Sequence, residues 1–259
     1  MLRNRFGSIR LISLILYFCC SIFAQGPLPI RQFQQKPKLV VLLVIDQFRA
    51  DYLTRFQDRF LPAKGAKGSI GGFQYLVEKG AWFPQAQYDL LQNMTGPGHA
   101  TLLTGAYPYL TGIPNNEWYD KERKAPVYCV EDRSIQWFGG SPDEHAGSSP
   151  RNLIGSTLGD ELKMVSASSR VVSIALKDRA AILMGGHRAD AVIWMDPFRF
   201  QWTSTPFYFE NGELPEWVRV VNSGLAAKKH TLVAGSPELP KLPSLPMMRR
   251  QWKLLPLGH

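Results

Sequence analysis

The chain has 259 residues, of which 45% are hydrophobic, and it carries a formal net charge of +9. This length and composition can supply a large buried core, so disorder is excluded as the default state. The charge excess lies at the two ends, since residues 1–24 carry +3, residues 225–259 carry +5 and residues 25–224 carry only +1. A nucleic-acid-binding domain needs a basic patch on its folded surface, and we therefore expect no nucleic-acid partner.

The first 24 residues have the pattern of a secretory signal peptide. Three arginines precede an apolar run from Leu11 to Phe23, and Ala24 stands before the polar, proline-broken linker of residues 25–37. The run is shorter than the roughly 20 apolar residues that span a bilayer, so we expect an exported chain with no membrane span after signal removal. Cys129 would then be the only cysteine left, which excludes an intramolecular disulfide and a cysteine-based zinc site.

Residues 38–222 alternate between strand-like and helix-like segments. Lys38–Ile45 is a continuous run of leucine and β-branched residues, typical of a strand buried on both faces of a parallel sheet. Further strands are predicted over 81–91, 170–176 and 190–195, and residues 105–155 are predicted to be mostly irregular. Helical segments, some as short as one turn, are predicted at 51–60, 71–80, 99–103, 156–164, 177–186 and 214–224.

This alternation predicts an α/β fold with a mostly parallel central sheet and helices on both faces. Ligands of such sheets bind beyond the carboxyl ends of the strands, where Asp46 and Lys177 both lie. From residue 223 to residue 259 the alternation stops, and the segment is basic and rich in proline. We therefore predict a domain over residues 38–222 that is incomplete, followed by an aberrant tail.

The stretch QNMTGPGHATLLTG, residues 92–105, is the first candidate for chemistry. It lacks the lysine of a nucleotide-binding P-loop and the G-x-S-x-G of a serine nucleophile, which leaves Thr95 on a turn at a helix start. A hydroxyl there either caps the helix or faces an anion held by the free backbone amides. An alcohol becomes a good nucleophile only beside a base or metal, for which His99 and Asp46 are candidates. A core histidine and a helix-capping aspartate are the alternatives for these two residues.

Two later stretches carry groups that could hold an anion. Asn115 and Asn116 lie in a polar loop, where an amide could donate to a phosphoryl oxygen. Lys177 and Arg179 follow a predicted strand at positions i and i+2, so a turn would let both converge on one anion. The alternatives are turn-forming asparagines and a solvated charge cluster.

Seven segments in this order resemble the N-terminal half of the bacterial exported alkaline phosphatases that use a threonine nucleophile. That family belongs to the alkaline phosphatase superfamily, which also contains the type I phosphodiesterases and nucleotide pyrophosphatases. The resemblance covers residues 38 to about 222. The segments are VVLLVIDQFRADYL, MTGPGHATLLTGAYPYLTGIPNNEWYD, YCVEDRSI, SPRNLIGSTLGDELK, SIALKDRAAILMGGH, AVIWMD and LPEWV.

The resemblance implies zinc-dependent hydrolysis of small phosphate monoesters through a phospho-threonine intermediate, with two zinc ions in a complete site. It implies that Asp46 binds one zinc and that Thr95 is the nucleophile on the same ion. Asn116 matches the asparagine that donates to a phosphoryl oxygen. Lys177 and Arg179 match the pair that binds the remaining phosphate oxygens. The resemblance also implies a periplasmic or secreted bacterial protein, whereas the oligomeric state is not indicated.

The Lys-x-Arg pair favours monoesters, because a monoester presents more free charged oxygen than a diester does. Phosphodiester or nucleotide pyrophosphate hydrolysis is the alternative activity. The other zinc ligands of the family, aspartates and histidines, lie beyond the matched region, and residues 223–259 contain no aspartate. We therefore expect a truncated or frame-shifted product, which leaves the activity of this chain on its own open and makes a non-catalytic anion-binding remnant a third reading.

Overall fold

The computed structural model describes residues 37–65, 68, 70–87, 89–139 and 147–228. The predicted signal peptide, nearly all of the linker and residues 229–259 of the predicted tail lie outside the described residues. The chain divides into two compact units, Met1–Tyr52 and Leu53–His259. Each unit is described by itself.

In the first unit, the described residues 37–52 form no strand. The apolar side chains from Leu39 to Ile45 are largely exposed, and a turn closed by the Phe48 amide on the Ile45 carbonyl follows them. The prediction of a buried strand here is therefore wrong in this structure. A strand buried in a parallel sheet needs hydrogen-bonded neighbours and covered faces. The first unit supplies neither to residues 39–45 among its described residues.

The second unit carries the regular structure. Its helices are α1 (Tyr52–Arg55), which begins at the unit boundary, α2 (Gly72–Lys79), α3 (Thr95–Thr104), α4 (Pro108–Thr111), α5 (Leu158–Val165), α6 (Asp178–Gly185) and α7 (Glu216–Lys228). Its strands are β1 (Glu117–Asp120), β2 (Ala125–Tyr128), β3 (Val172–Ala175), β4 (Ala191–Asp196) and β5 (Gln201–Thr203). Two 3₁₀ turns cover Gln57–Arg59 and Pro150–Asn152.

A three-stranded sheet with the order β3-β4-β5 forms the centre of this unit. β3 pairs in parallel with β4, and Val172 is opposite Ala191. α6 connects these two strands and packs against both, which makes a βαβ unit. β4 is buried along nearly all of its length, as its apolar run AVIWM predicts, whereas Ile174 on β3 is half-exposed. The sequence did not predict the short antiparallel strand β5.

The outer edge of β5 is closed by a side chain of α7. The amide group of Asn222 accepts a hydrogen bond from the Trp202 backbone amide and donates one to its carbonyl, each at 2.8 Å. A side-chain amide thus takes the place of a neighbouring strand. α7 runs across residue 223, where the sequence predicted a boundary, and continues to Lys228.

The hydrophobic core lies between α3, α6 and β4 and includes residues of the β2 region. Trp194 of β4 packs edge-on against Trp137, with ring centroids 5.6 Å apart. α3 and α6 pack directly against each other. The buried apolar residues of this cluster are Ala100, Ile113, Tyr128, Cys129, Val130, Trp137, Leu153, Ala181, Ile182, Leu183, Val192 and Trp194.

The start of α5 is fixed by a buried carboxylate. Thr157 is the N-cap, and its hydroxyl accepts from the Asp160 backbone amide while the Asp160 side chain accepts from the Thr157 backbone amide, which is a capping box. Asp160 also accepts from the backbone amides of His187 and Arg188 at 2.8 and 2.7 Å. This carboxylate therefore joins the start of α5 to the turn that ends α6.

The remaining predicted elements divide into correct and incorrect ones. The helices over 71–80, 156–164, 177–186 and 214–224 are confirmed as α2, α5, α6 and α7, and segment 51–60 forms only α1 and a 3₁₀ turn. The strand predicted over 81–91 is wrong, since the described residues there form turns and unpaired chain around Pro84. Residues 105–155 contain the β1-β2 hairpin, which the sequence did not predict. No helix among the described residues is long and apolar enough to cross a membrane.

Candidate active site

Thr95 is the first residue of α3, so the helix begins four residues earlier than the sequence predicted. The N-cap is Met94, which has no side-chain cap hydrogen bond, and Thr95 is 8% exposed. Thr95 therefore stands within the first turn of the helix instead of capping it. The first amides of a helix lack intrahelical partners and favour a negative group nearby.

Asn116 reaches this helix start from the loop before β1. Its Oδ1 accepts a hydrogen bond from the Gly96 amide at 2.6 Å, which leaves the Asn116 NH₂ group as a donor. The approach is so close that a Cβ on Gly96 would lie 3.1 Å from Asn116 Oδ1 and 3.3 Å from Cys129 Sγ. Thr95 and Asn116, two of the residues selected from the sequence, are thus brought together through Gly96.

His99 lies one turn further along α3 and is buried. Its Nδ1 is 2.8 Å from the Thr95 carbonyl oxygen, and because a carbonyl only accepts, Nδ1 carries the proton in this contact. The ring is therefore used to join two turns of the helix. This is the core role that was the alternative to a catalytic base.

The predicted cation pair lies where β3 gives way to α6. Lys177 is the N-cap of α6 with an exposed side chain, and half-buried Arg179 is the second residue of the helix. Arg179 Nη1 donates to the Tyr128 hydroxyl at 3.0 Å, and its guanidinium lies 5.8 Å from the centre of the Tyr128 ring. Its Nε is buried and has no hydrogen-bond acceptor among the described residues.

Arg179 is connected to the Thr95 turn through β2. Tyr128 ends β2, and the amide of the next residue, Cys129, donates to the Asn116 carbonyl at 2.9 Å. Arg179, Tyr128, Cys129, Asn116 and the start of α3 therefore form one continuous set of contacts. Three of the residues singled out in the sequence, Thr95, Asn116 and Arg179, belong to this set.

The sequence of residues 40–239 matches the family model described as type I phosphodiesterase / nucleotide pyrophosphatase. The chain belongs to this family. Among similar proteins is the alkaline phosphatase PhoV of Synechococcus elongatus, which is 37% identical over 226 residues that make up 85% of this chain and 39% of the relative. The alkaline phosphatase PafA of Elizabethkingia meningoseptica is 36% identical over 189 residues, covering 73% of this chain and 33% of the relative.

The crystal structure of wild-type PafA resembles this phosphodiesterase-family chain with a TM-score of 0.66 at 32% identity, over 76% of this chain and 36% of that one. These matches confirm the resemblance on which the family and the α/β fold were predicted. The small, partial sheets are those of an incomplete α/β fold. The chain spans between a third and two fifths of the length of these curated relatives.

Asp178, which lies between Lys177 and Arg179, was not predicted from the sequence as a residue of the site. Its carboxylate is buried and accepts from the Tyr128 hydroxyl at 2.6 Å, the Ser148 hydroxyl at 3.1 Å and the Arg179 backbone amide at 2.7 Å. The tripeptide KDR gave a signal, because an aspartate at the start of a helix after a strand is well placed to meet amides there. Tyr128 gave no such signal, since its partner is 50 residues away.

Burial controls the ionisation of the groups around this carboxylate. Burial, reinforced by the nearby Asp178 charge, raises the pKa of the Tyr128 hydroxyl far above its usual range and that of the Cys129 thiol to about 12. Burial alone would lower the pKa of the Arg179 guanidinium, but the hydrogen bond to Tyr128 together with the nearby negative charge, including that of Asp178, outweighs burial and raises it. Tyr128 and Cys129 are therefore neutral at pH 7, and Arg179 is positively charged.

A metal site is the part of the prediction that these residues do not complete. Asp46 is exposed in a turn of the first unit. Among the residues that the structure describes, no three His, Cys, Asp or Glu side chains come together as a group that could hold a metal ion. A structural or catalytic zinc ion needs at least three protein ligands, so the described residues by themselves do not fit a complete zinc site.

Proposed function

We propose that the protein contributes the nucleophile and phosphate-binding residues of a hydrolase acting on small phosphate monoesters. The observation that carries this proposal is the 2.6 Å hydrogen bond from the Gly96 amide to Asn116 Oδ1. It holds the Asn116 side chain, whose NH₂ group is a donor, against the residue that follows Thr95 in the first turn of the helix. A phosphoryl group needs both a nucleophile and donors for its oxygens.

In this proposal the Thr95 hydroxyl oxygen attacks phosphorus and the ester P–O bond breaks. The Thr95 hydroxyl loses its proton as it attacks, and the leaving oxygen takes one up to become the alcohol. Water then attacks the phosphorus of the phospho-threonine and the Thr95 O–P bond breaks; one proton of the water restores the hydroxyl and the other leaves with hydrogen phosphate. Asn116 donates to one phosphoryl oxygen, and Lys177 and Arg179 neutralise the others. The buried Arg179 Nε that lacks an acceptor among the described residues supports this role, because a native donor without a partner indicates a missing acceptor.

In this proposal Lys177 and Arg179 both face the phosphate, and two cations would favour a monoester, whose phosphate carries more charge than that of a diester. The relatives PhoV and PafA are named as alkaline phosphatases, which supports the same choice. We propose that the complete family form uses two zinc ions, with Asp46 and Thr95 as ligands of one of them. Bound zinc would supply charge neutralisation at the attacking and leaving oxygens.

The test uses a fusion of this chain to the part of PhoV that it does not cover, together with the chain alone. We expect the fusion to hydrolyse p-nitrophenyl phosphate and to bind two zinc ions per chain by elemental analysis. Thr95→Val, which removes the hydroxyl but keeps the shape, should lower kcat by at least about a thousandfold, the scale seen when a nucleophile is deleted. Turnover within tenfold of the parent in this variant would refute the role of Thr95.

The matched control for this substitution is Thr101→Val in the same helix. Thr101 is as buried as Thr95, each being 8% exposed, and its hydroxyl has no hydrogen-bond partner among the described residues. The same change of side chain at Thr101 should leave kcat within about twofold, because it removes no proposed catalytic group. A fall at both positions would indicate damage to α3 instead of loss of a nucleophile.

Phosphodiester or pyrophosphate hydrolysis is a second candidate function. It is favoured by the family model itself and by a relative from Xenopus laevis named as a bis(5'-adenosyl)-triphosphatase, which is 29% identical over 137 residues. A fusion that cleaves bis-p-nitrophenyl phosphate faster than the monoester would establish it. A fusion that retains phosphate but turns over neither ester would instead support the non-catalytic anion-binding remnant.

A further inference from the structure

A directed chain of hydrogen bonds ends on the guanidinium of Arg179. Arginine can only donate, so the Tyr128 oxygen accepts from Arg179 Nη1, and the single phenolic hydrogen goes to Asp178 Oδ1. On the far side, Asp178 Oδ2 accepts from the Ser148 hydroxyl, whose oxygen accepts from Trp137 Nε1 at 3.0 Å. Every hydrogen in this chain therefore has one direction, set by the charges at Asp178 and Arg179.

The inner members of this chain are rigidly enclosed. Tyr128, Ser148, Trp137 and Asp178 are all at most 7% exposed, whereas Arg179 is only half-buried. Ser148 is held further by Thr205, whose hydroxyl donates to the Ser148 carbonyl at 3.1 Å. A buried carboxylate is tolerated only when it is hydrogen-bonded, so this network is fixed by the cost of breaking it. Of the residues in this chain of hydrogen bonds, Arg179 is the one that is partly exposed.

We propose that Tyr128 and Asp178 are positioning residues that hold Arg179 in the orientation in which it selects a phosphate monoester. This inference rests on the proposed function, in which Arg179 binds phosphate oxygens. The Tyr128 hydroxyl fixes one end of the guanidinium plane, and Asp178 fixes the hydroxyl. The planar fork of arginine binds two oxygens well only when its plane is set in advance, and a diester offers fewer charged oxygens to it.

The kinetic test compares Tyr128→Phe with Tyr208→Phe in the active fusion protein. Tyr208 is a matched control because its hydroxyl also donates to a protein acceptor, the Gly186 carbonyl at 2.9 Å, and this hydrogen bond does not involve Arg179, Tyr128 or Asp178. We expect Tyr128→Phe to lower kcat/KM for p-nitrophenyl phosphate roughly tenfold, the effect of one hydrogen bond to a charged group. The value for bis-p-nitrophenyl phosphate should change less than threefold, and Tyr208→Phe should change neither.

A double-mutant cycle with Arg179→Ala separates positioning from general damage. If Tyr128 acts through Arg179, Tyr128→Phe should have no further effect on monoester hydrolysis once the guanidinium is gone. Asp178→Ala, which removes the acceptor of the Tyr128 hydroxyl, should behave in the same way in both backgrounds. Equal losses toward both esters, or the same tenfold loss in the Arg179→Ala background, would overturn the proposal while leaving the proposed hydrolase function standing.

A measurement that needs no activity keeps the two proposals distinguishable. In this chain labelled with ¹⁵N-arginine, the Arg179 guanidinium signal is identified by its loss in Arg179→Ala. We expect slow rotation of this group in the parent and in Tyr208→Phe, and faster rotation in Tyr128→Phe. Unchanged rotation in Tyr128→Phe would overturn the positioning role even if the fusion hydrolyses no ester. Faster rotation in an inactive protein would support positioning and count against the proposed function alone.

Discussion

Two buried aspartates stand at helix starts of the second unit and differ in what they hold. Asp160 accepts mainly from backbone amides, those of Thr157, His187 and Arg188. Asp178 accepts from two side-chain hydroxyls and one backbone amide. One of these hydroxyls, that of Tyr128, also accepts a hydrogen bond from the guanidinium of Arg179. The same carboxylate chemistry therefore joins two segments of backbone in one case and orients a cation in the other.

The difference lies in whether the partners can change roles. A backbone amide can only donate, whereas a hydroxyl can turn and accept. The Asp160 network is consequently specific for a carboxylate. The Asp178 network can tolerate a neutral amide, because the amide oxygen can still accept from Tyr128 and the NH₂ group can donate to the Ser148 hydroxyl. Stability experiments should separate the two sites.

The largest expected effect on stability is that of Asp160→Asn, which we compare with the same substitution at Asp178. In Asp160→Asn the new NH₂ must face an amide donor, because both Asp160 oxygens accept from amides. We expect the free energy of unfolding to fall by about 3–5 kcal/mol, as when one partner of a buried polar network is lost. In Asp178→Asn the NH₂ can face Ser148, whose hydroxyl can accept, and the loss should be about 1 kcal/mol.

Urea denaturation at pH 7 measures both changes under the same conditions. The two variants make the same chemical change at two carboxylates that are both nearly inaccessible, 2% exposed for Asp160 and 7% for Asp178. Each therefore serves as the control for the other. Equal losses at the two positions would show that the kind of partner does not matter here.

The turn beside Asp160 provides the next test. Gly186 has φ +74°, and a Cβ there would overlap both Asp160 Oδ2 and Thr157 Oγ1, whereas Gly212 has φ +75° with nothing within 4 Å of a Cβ. Gly212→Ala should cost about 1 kcal/mol of unfolding free energy from backbone strain alone. Gly186→Ala should cost about 3 kcal/mol, because crowding disrupts the carboxylate network as well. Thermal unfolding of the pair measures the difference, and similar midpoints would mean that the turn relaxes freely.

Acid should weaken the stabilisation of the fold that the ionised Asp160 carboxylate provides. Burial raises the pKa of the Asp160 carboxyl, but the hydrogen bonds that it accepts, the largest contribution coming from His187, outweigh burial and lower the pKa to about 2. Its unfolded value is 3.8. The stabilisation is therefore fully present above pH 4 and is lost as the pH falls toward 2, by about 2 kcal/mol.

The measurement is the difference in unfolding free energy between the parent and Asp160→Asn across this pH range. The difference removes the contributions of Asp132 and Asp190, whose carboxyl pKa values are also lowered by the hydrogen bonds they accept, against an opposing effect of burial. It should shrink as the pH falls from 4 to 2. A difference that stays constant would contradict the assignment of this titration to Asp160.

The smallest expected effect on stability is at Thr101, whose side chain is buried like those of the two aspartates but is neutral. Its hydroxyl has no hydrogen-bond partner among the described residues, in contrast to both carboxylates. Thr101→Val replaces this hydroxyl by a methyl group of similar size and should stabilise the fold by up to about 1 kcal/mol. An increase in the urea midpoint with an unchanged slope is the expected result. A decrease would show that the hydroxyl has a partner.

The sequence predicted the elements whose signals are local. β4 follows from its apolar run, and α2 and α5 lie within the segments 71–80 and 156–164 that were predicted to be helical. It failed where partners decide the outcome. The apolar run at 39–45 gives no information on whether a neighbouring strand covers it, and β5 has only three residues.

The candidate site shows the same division. Thr95, Asn116, Lys177 and Arg179 were selected because they match ordered motifs, and their roles remain predictions. Tyr128 was not selected, because an aromatic residue at the end of a short strand has no pattern that points to Asp178. A contact between residues 50 positions apart follows from how β2 and α6 pack, which sequence periodicity does not encode.

The exposed row from Leu39 to Ile45 has a consequence for handling the protein. Seven consecutive residues without charge, proline or glycine, most of them β-branched or leucine, have the composition of segments that stack into cross-β assemblies. Lys38 and Asp46 flank the row, but no charge within the seven residues opposes such stacking. Solutions of this chain should therefore self-associate as concentration rises, and charged substitutions inside the row should raise the solubility limit.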